Sequence, residues 1–276
     1  MGADIKKLKG RIRSIDSTLH LTKAMGLVAS SKIRKANDAM NAANDYAEAA
    51  GDIIRRLAAE EGCRSNKYLR KPEEPFAKRI LIVVAGDRGL AGGYNAGIFR
   101  TLRDNEDTKG TEIIPIGKKA CDKLGCEGGY ASAENFSFEN ASELSDKLCR
   151  AFAEGETDCV EVLCTEYINM MTHQPRIVRL FPLEKGSEKD SGGTTEFEPN
   201  EDKVMNTFMS DYITGMLTAL VRESFASEVA ARRVAMDNAG KNAQQMIDDL
   251  KLEYNRARQS IITQEITEIV AGAGEN

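Results

Sequence analysis

The sequence predicts a helix-dominated α/β protein, in which a small three-layer, Rossmann-like α/β domain is inserted between two long helices that pair as an antiparallel coiled coil. The chain has 276 residues, and its six prolines all lie from Pro72 to Pro199, so both ends can form uninterrupted helices. Between the ends, short apolar runs alternate with helical patterns, which is typical of a sheet covered by helices. We therefore expect a first helical segment (1–71), a middle α/β domain (72–199) and a last helical segment (200–276).

The first helix is predicted over residues 4–59. Apolar or small residues recur there at alternating steps of three and four, the heptad pattern by which one helix packs along another. At 1.5 Å per residue this helix is roughly 80 Å long, so it needs a long partner. The predicted seam consists of Ile5, Leu8, Ile12, Ile15, Leu19, Thr22, Gly26, Ala29, Ile33, Ala36, Met40, Ala43, Ala47, Ala50, Ile54 and Leu57.

The partner is the last helix, predicted over residues 203–270 and roughly 100 Å long. Because the middle domain separates the two helices in the sequence, the simplest pairing is antiparallel, with both chain ends at one tip. The last helix exceeds the first by about a dozen residues, or roughly 20 Å, and this excess is apolar. The predicted seam is Met205, Met209, Ile213, Met216 and Leu220, then Met236, Gly240, Ala243, Ile247, Leu250, Tyr254, Ala257 and Ile261, and the apolar tip is Ile261, Ile262, Ile266, Ile269 and Val270.

The middle segment is predicted to form a mostly parallel sheet with one antiparallel edge strand. Its first strand is a continuous apolar run, as in a strand buried on both faces. A polar, glycine-containing stretch at 184–203 is expected to be a long surface loop. The predicted strands are 79–85, 112–116, 159–167 and 174–181, and the predicted helices are 96–104, 118–124 and 142–154.

A glycine-rich loop at residues 86–93 follows the first strand and precedes a helix, the place where α/β proteins often cradle a phosphate. Its spacing is G-x-x-G-x-x-G-G, which matches neither G-x-G-x-x-G nor a phosphate-binding G-K-[ST] loop. Asp87 would also repel an anion there. We interpret the loop as a tight turn that packs the helix on the sheet, and expect no cofactor. A nucleotide-dependent enzyme is an alternative that a thermal shift with nucleotides would test.

Other signs of chemistry are sparse. The six cysteines include no C-x-x-C pair, which favours free thiols in a reducing compartment. His20 and His173 have no metal-ligand spacing around them, and no G-x-S-x-G or H-E-x-x-H motif occurs. The start of the chain lacks the apolar core of a signal peptide, and the longest apolar run, 80–85, is too short to cross a bilayer. We expect no catalytic or metal site, and only an indirect membrane role.

The first segment is basic although the chain as a whole carries a net charge of −5. Residues 1–71 hold 15 Lys and Arg against 8 Asp and Glu. The polar outside of the first helix carries a basic cluster, which is either a solvated face or a contact for an acidic partner. An alternative function is therefore a coiled-coil nucleic-acid-binding protein that uses this helix against phosphates. The cluster comprises Lys23, Lys32, Arg34 and Lys35.

Four stretches together carry a family resemblance. Residues 21–36 (LTKAMGLVASSKIRKA), 223–243 (ESFASEVAARRVAMDNAGKNA) and 252–273 (LEYNRARQSIITQEITEIVAGA), with the loop DRGLAGGYN at 87–95, resemble the gamma subunit of the F-type ATP synthases. In that family the paired helices form a shaft inside a ring of three alpha and three beta subunits. The middle domain is a foot that rests on the membrane c ring beside the epsilon subunit. The resemblance implies a torque-transmitting subunit without bond chemistry of its own.

The resemblance also implies contact residues and partners. The expected partners are the alpha, beta and epsilon subunits and the c ring, with no nucleic acid and with membrane contact only through the complex. The expected location is the cytoplasmic side of a bacterial cell membrane, with the mitochondrial inner membrane as the alternative. The contacts implied for the beta subunits are Lys23, Met25, Lys32, Arg34, Lys35, Arg258, Gln259, Thr263 and Glu265, and those for the c ring are Thr195, Glu196, Phe197 and Glu198.

Overall fold

The computed structural model describes residues 2–73, 76–105, 110–183 and 197–273. Within these residues, two long helices flank four strands and three shorter helices in sequence. Two short 3-10 turns, Glu61–Cys63 and Lys67–Leu69, follow the first helix. The elements are α1 (Gly2–Ala59), β1 (Arg79–Val84), α2 (Tyr94–Asp104), β2 (Thr111–Ile116), α3 (Lys118–Leu124), α4 (Phe138–Glu154), β3 (Cys159–Tyr167), β4 (His173–Phe181) and α5 (Glu201–Ala273).

The four strands form one mixed sheet in the order β2-β1-β3-β4. β1 runs parallel to both β2 and β3, whereas β4 pairs with β3 in the antiparallel direction. The prediction of a mostly parallel sheet with one antiparallel edge strand is therefore confirmed. β1 and β3 lie in the centre of the sheet, and this position explains why both strands are largely buried on both faces.

The sheet is the middle of three layers. On one face, Ile80, Ile82 and Val84 belong to the largest core cluster, which also contains residues of α4 and of both long helices. On the other face, Leu81 and Val83 pack with residues of α2 and α3. Alternate residues of β1 thus enter different cores, as the two-residue period of a strand requires. The predicted three-layer arrangement is confirmed.

The described contacts group the chain into two compact units. The sheet unit is Ser31–Ala231, and the paired-helix unit is Met1–Ser30 together with Arg232–Asn276. Each long helix contributes to both units. The predicted division into segments 1–71, 72–199 and 200–276 follows the sequence instead, and it stays a prediction.

The two long helices run antiparallel within each unit. In the paired-helix unit, Leu19 clusters with Ala243 and Ile247, while a Cβ on Gly26 would lie 3.6 Å from the Cβ of Met236. In the sheet unit, Ala36 and Met40 cluster with Ala226. Residue numbers on α5 therefore fall as those on α1 rise. None of the predicted α1 seam residues from Ile5 to Leu57 is exposed, although five of them are only half-buried: Ile5, Ile12, Ile15, Ile33 and Ala43.

The last turns of α5 carry an unpacked apolar surface. Every side chain from Ile262 to Val270 is exposed. Ile269 and Val270 are 70% and 66% accessible to solvent, which is unusual for large aliphatic residues in this number and proximity. Four of the five predicted tip residues, Ile262, Ile266, Ile269 and Val270, are exposed, whereas Ile261 is half-buried. Among the described residues, no helix has the combination of length and apolar character that would let it cross a membrane.

Some element boundaries differ from the prediction. α4 begins at Phe138 rather than 142, because Ser137 accepts from the backbone N–H of Asn140 while the Asn140 side chain accepts from the backbone N–H of Ser137. α2 begins at Tyr94 rather than 96. α5 begins at Glu201, so the end of the loop expected at 184–203 is helical; residues 184–196 of that loop lie outside the described residues.

Candidate functional site

The glycine loop lies at the carboxyl edge of β1, where a ligand site of an open α/β sheet would be expected. Glu228 of α5 occupies the space above it. A Cβ on Gly86 would lie 2.6 Å from Oε1 of Glu228, so any larger residue there would require the Glu228 side chain to shift. The backbone N–H of Arg88 also donates to Glu228 Oε1 over 3.4 Å. The loop therefore packs against the long helix, which agrees with its interpretation as a packing turn.

Asp87 is the centre of a hydrogen-bond network at this edge. Its Oδ1 accepts from the backbone N–H groups of Lys118 (3.2 Å) and Ala133 (2.8 Å). Its Oδ2 accepts from Ser132 Oγ (2.7 Å) and the Glu134 backbone N–H (2.9 Å). Burial alone would raise the pKa of Asp87, but these hydrogen bonds hold it below its ordinary value. The expected anion-repelling carboxylate is thus an internal anchor for the segment 132–134.

The same segment is joined to both long helices. Arg222 of α5 donates from Nη1 to the Glu134 carbonyl (3.1 Å) and from Nη2 to the Phe136 carbonyl (3.0 Å). Lys32 of α1 forms an ion pair with the Glu134 carboxylate. One loop of the sheet unit is therefore fastened to α1 and α5 at once.

A second set of polar contacts joins α5 to the strands. Glu223 accepts from Arg176 Nη2 (3.0 Å) and from the Tyr167 backbone N–H (3.1 Å). Ser224 Oγ accepts from the Thr165 backbone N–H at 2.8 Å, and the Ser224 carbonyl accepts from the Tyr94 hydroxyl at 3.0 Å. We call Arg222, Glu223, Ser224 and Glu228, with these partners, the polar clasp.

The polar clasp differs physically from the apolar core beside it. Apolar contacts are non-directional, so they resist separation better than they resist sliding or rotation. Hydrogen bonds to charged groups require a definite geometry and lose about 1.5–3 kcal/mol when it is broken. Ser224 is fully buried and Glu223 is 8% exposed, so water does not readily replace these bonds. The clasp therefore fixes α5 in one register and one rotation on the sheet.

The residues predicted to contact beta subunits fall in both units. Arg34 and Lys35 are exposed in the sheet unit, where Lys32 is half-buried and paired with Glu134. In the paired-helix unit Met25 is half-buried and Lys23 is exposed. The other four, which are exposed on the last turns of α5, are Arg258, Gln259, Thr263 and Glu265.

Lys23 and Arg258 lie at different levels of the helix pair. Lys23 lines a groove of about 430 Å³ with Met236 and Gly240. Gly240 of α5 lies opposite Thr22 of α1, so the neighbouring Lys23 is level with α5 near residue 240. That level is about 18 residues, or roughly 27 Å, from Arg258 along the helix axis. The antiparallel register separates the two residues.

The residues predicted to contact a c ring are described only in part. Phe197 is half-buried and packs against the large core cluster. Glu198 is exposed. Thr195 and Glu196 lie outside the described residues. Among the side chains that the structure describes, no three or more His, Cys, Asp or Glu are grouped so as to hold a metal ion.

Comparison with known proteins places this architecture in a family. The ATP synthase family model matches residues 4–274. An ATP synthase gamma chain from Ruminococcus albus is 38% identical and covers 97% of this chain and 96% of its own. One from Phenylobacterium zucineum is 35% identical, with 98% and 99% covered. The chain belongs to the ATP synthase gamma chain family. This match along nearly the whole length gives no support to the nucleic-acid-binding alternative.

Two solved structures of mitochondrial ATP synthases contain a chain with the same fold. A chain of the Euglena gracilis mitochondrial ATP synthase superposes with a TM-score of 0.68 at 18% identity, covering 98% of this chain and 94% of that one. A chain of the central stalk and c-ring structure from Tetrahymena thermophila gives a TM-score of 0.62 at 20% identity, covering 79% of this chain and 99% of that one. The fold of this gamma chain family member is therefore shared with rotary ATP synthases.

The sequence reasoning missed the polar clasp in this member of the gamma chain family. The sequence nevertheless contains an indication of the polar clasp, because Glu223, Ser224 and Glu228 interrupt a stretch of α5 that is otherwise rich in apolar residues. Polar residues at buried helical positions need hydrogen-bond partners. Their partners lie on α2, β3, β4 and two loops, which no local pattern identifies.

Proposed function

We propose that this chain is the central rotor of a rotary ATP synthase. In this proposal it transmits torque between a membrane c ring and a catalytic ring of alpha and beta subunits, and so couples ion flow to ATP synthesis and hydrolysis. The observation that carries the proposal is the match to ATP synthase gamma chains over almost the whole length. The exposed apolar end of α5 agrees with it, since a bearing requires a smooth, weakly interacting surface.

The contacts described above indicate how torque would pass from the sheet unit into the two long helices. Torque applied to the sheet unit passes through the polar clasp into α5, and through the Lys32–Glu134 ion pair into α1. Both helices continue unbroken into the paired-helix unit, and their backbone hydrogen bonds and apolar seam resist twisting. The exposed polar residues of α1 and α5 would then meet successive beta subunits and change their nucleotide affinity in turn.

We further propose that the chain has no catalytic role and holds no nucleotide. Glu228 and the segment 132–134 occupy the carboxyl edge of β1, where a nucleotide would have to bind. The proposed beta contacts are those predicted from the sequence, and Phe197 and Glu198 with the neighbouring 195–196 are the proposed c-ring contact. The membrane association is peripheral, through the complex, on the cytoplasmic side of a bacterial membrane. Calorimetry that detected micromolar ATP binding to the isolated chain would contradict this view.

Three variants test the rotor proposal in the assembled complex. Arg258→Ala, Gln259→Ala and Lys23→Glu change exposed side chains, so folding and assembly with alpha, beta and epsilon subunits should be unaffected. ATP turnover or ion pumping by membranes that carry normal amounts of complex should fall at least several-fold. Such a loss corresponds to one hydrogen bond to a charged group, about 1.5–3 kcal/mol.

Arg103→Ala is the matched control, because Arg103 is an exposed arginine at the end of α2 in the sheet unit. It should leave turnover and pumping unchanged. Normal turnover and pumping in all three test variants would mean that these residues are only solvated surface. Failure of the chain to co-purify with alpha and beta subunits would contradict the rotor proposal itself.

A further inference from the structure

Two of the six cysteines are neighbours in space. Cys121 lies in α3 and Cys126 in the turn that follows it, and their Sγ atoms are 2.6 Å apart. Both are free thiols in the structure; Cys126 is exposed and Cys121 is half-buried. The other four, Cys63, Cys149, Cys159 and Cys164, are buried. The contact therefore joins the two cysteines that solvent can reach.

We propose that Cys121 and Cys126 form a redox-active dithiol, which a low-molecular-weight disulfide of the glutathione type oxidises to an intramolecular disulfide. The proposal concerns a modification site on the sheet unit and does not depend on the rotor function. It goes beyond the sequence expectation of free thiols in a reducing compartment, which followed from the absence of a C-x-x-C motif.

The two sulfurs are suited to different steps of thiol–disulfide exchange. Burial, and then the contact with Cys126, raise the pKa of Cys121 to about 12, so Cys121 is a poor first nucleophile. Cys126 is exposed and so meets the oxidant first; its sulfur attacks one sulfur of the oxidant, and its proton passes to solvent. The S–S bond of the oxidant breaks, one thiol leaves, and a mixed disulfide forms on Cys126.

Cys121 completes the reaction. Its Sγ gives up its proton to solvent and attacks the Sγ of Cys126, which releases the second thiol and forms the bond between Cys121 and Cys126. Two electrons pass from the protein dithiol to the oxidant, so one disulfide is consumed and two thiols are produced. The short distance between the sulfurs makes this second step intramolecular and fast despite the high pKa of Cys121.

The disulfide would act on a segment that the structure already fastens at several points. After Cys126 the chain returns to the sheet, where the Tyr130 N–H donates to the Pro115 carbonyl (2.8 Å) and the Gly117 N–H donates to the Tyr130 carbonyl (2.8 Å). Residues 132–134, held by Asp87, follow directly. A bond between Cys121 and Cys126 closes the turn between these attachments, so backbone amides 125–130 should exchange hydrogen more slowly in the oxidised chain.

The test uses the reduced full-length chain and glutathione disulfide. We expect the number of reactive thiols in the unfolded, quenched protein to fall by two, and peptide mass spectrometry to find residues 121 and 126 cross-linked without bound glutathione. Cys121→Ser should trap glutathione on Cys126, whereas Cys126→Ser should take up none. Cys63→Ser, which changes a buried cysteine far from the pair in sequence, should still form the cross-link.

Three results would overturn the proposal: all thiols remain reduced in excess oxidant, glutathione stays on Cys126 of the unaltered chain, or the cross-link joins other cysteines. None of these results bears on assembly or ATP turnover, so the rotor proposal is tested separately.

Discussion

Asp87 offers the sharpest test of the reasoning about the sheet unit, because its two carboxylate oxygens have distinct partners. In Asp87→Asn the remaining oxygen can still accept from Lys118 and Ala133 at the Oδ1 position. The new amide nitrogen would face Ser132 Oγ and the Glu134 N–H in place of Oδ2. The serine hydroxyl can rotate to accept, but the Glu134 N–H meets another donor and loses its partner.

The magnitude follows from this difference. Asp87→Asn loses one hydrogen bond to a charged group and weakens the others, so we expect the free energy of unfolding to fall by about 2 kcal/mol. Asp87→Ala loses all four hydrogen bonds. Since such losses are not additive and the site is only half-buried, we expect about 4 kcal/mol rather than the sum.

The pH dependence provides a second signature. The pKa of Asp87 in the folded chain lies below its ordinary value of 3.8, so its carboxylate stabilises the fold at every pH above that value. The stabilisation is lost as the pH falls through the folded-state pKa. The difference between the unaltered chain and Asp87→Asn should therefore be constant above about pH 5 and shrink below pH 3.8.

Urea unfolding of the isolated chain, followed by circular dichroism at several pH values, measures both effects. Asp122→Asn is the control, because Asp122 is an exposed carboxylate on α3 whose ion pair with Lys119 is on the surface. It should change the free energy of unfolding by less than about 1 kcal/mol. If Asp87→Ala costs no more than Asp122→Asn, the assignment of Asp87 as an anchor is wrong.

Three further predictions concern the helices and a strained turn. Ile247→Asp places a charge at a seam position that is only 3% exposed, so it should destabilise the helix pair by several kcal/mol in thermal unfolding. The control Met246→Asp, at a position that is 50% exposed, should cost less than about 0.5 kcal/mol. Equal losses would mean that the seam is misassigned. Gly117→Ala should cost at least about 3 kcal/mol, because φ is +99° and the new Cβ would lie 2.1 Å from the Ala85 carbonyl oxygen. Gly26→Ala should instead stabilise the chain by up to about 1 kcal/mol, since its Cβ would make only ordinary contacts; a loss on urea unfolding would show that Gly26 is needed for close packing.

The long helices and the sheet could be predicted because their signals are local and repeated. The three-and-four spacing from Ile5 to Leu57 persists over eight heptads, and the seam it predicts contains no exposed residue. The apolar run at 79–85 is as clear, since a central parallel strand is buried on both faces. Proline-free ends and prolines confined to the middle then indicate which segments form the two long helices.

The contacts between distant segments could not be predicted in this way. From the sequence alone, Asp87 is interpreted as a charge that would repel an anion from the glycine loop. Its actual role as a hydrogen-bond acceptor depends on Ser132, Ala133 and Glu134, which lie more than forty positions later. The positions of Lys23 and Arg258 along the helix pair depend on the register between α1 and α5. The seams of both helices are long and repetitive, so the sequence is compatible with more than one register. Each of these features follows from tertiary packing rather than from local pattern.

The central claim is that this chain turns inside its complex, and rotation can be observed directly. In the variant used for this measurement, Met171→Cys places a thiol for attaching a bead at a position on the β3–β4 turn that is 78% exposed, and Cys126→Ser removes the exposed native thiol. The assembled complex is fixed to a surface through its beta subunits and supplied with ATP. We expect the bead to rotate in one direction with three pauses per turn, one for each beta subunit. A bead that stays fixed while the same complexes hydrolyse ATP would contradict the account.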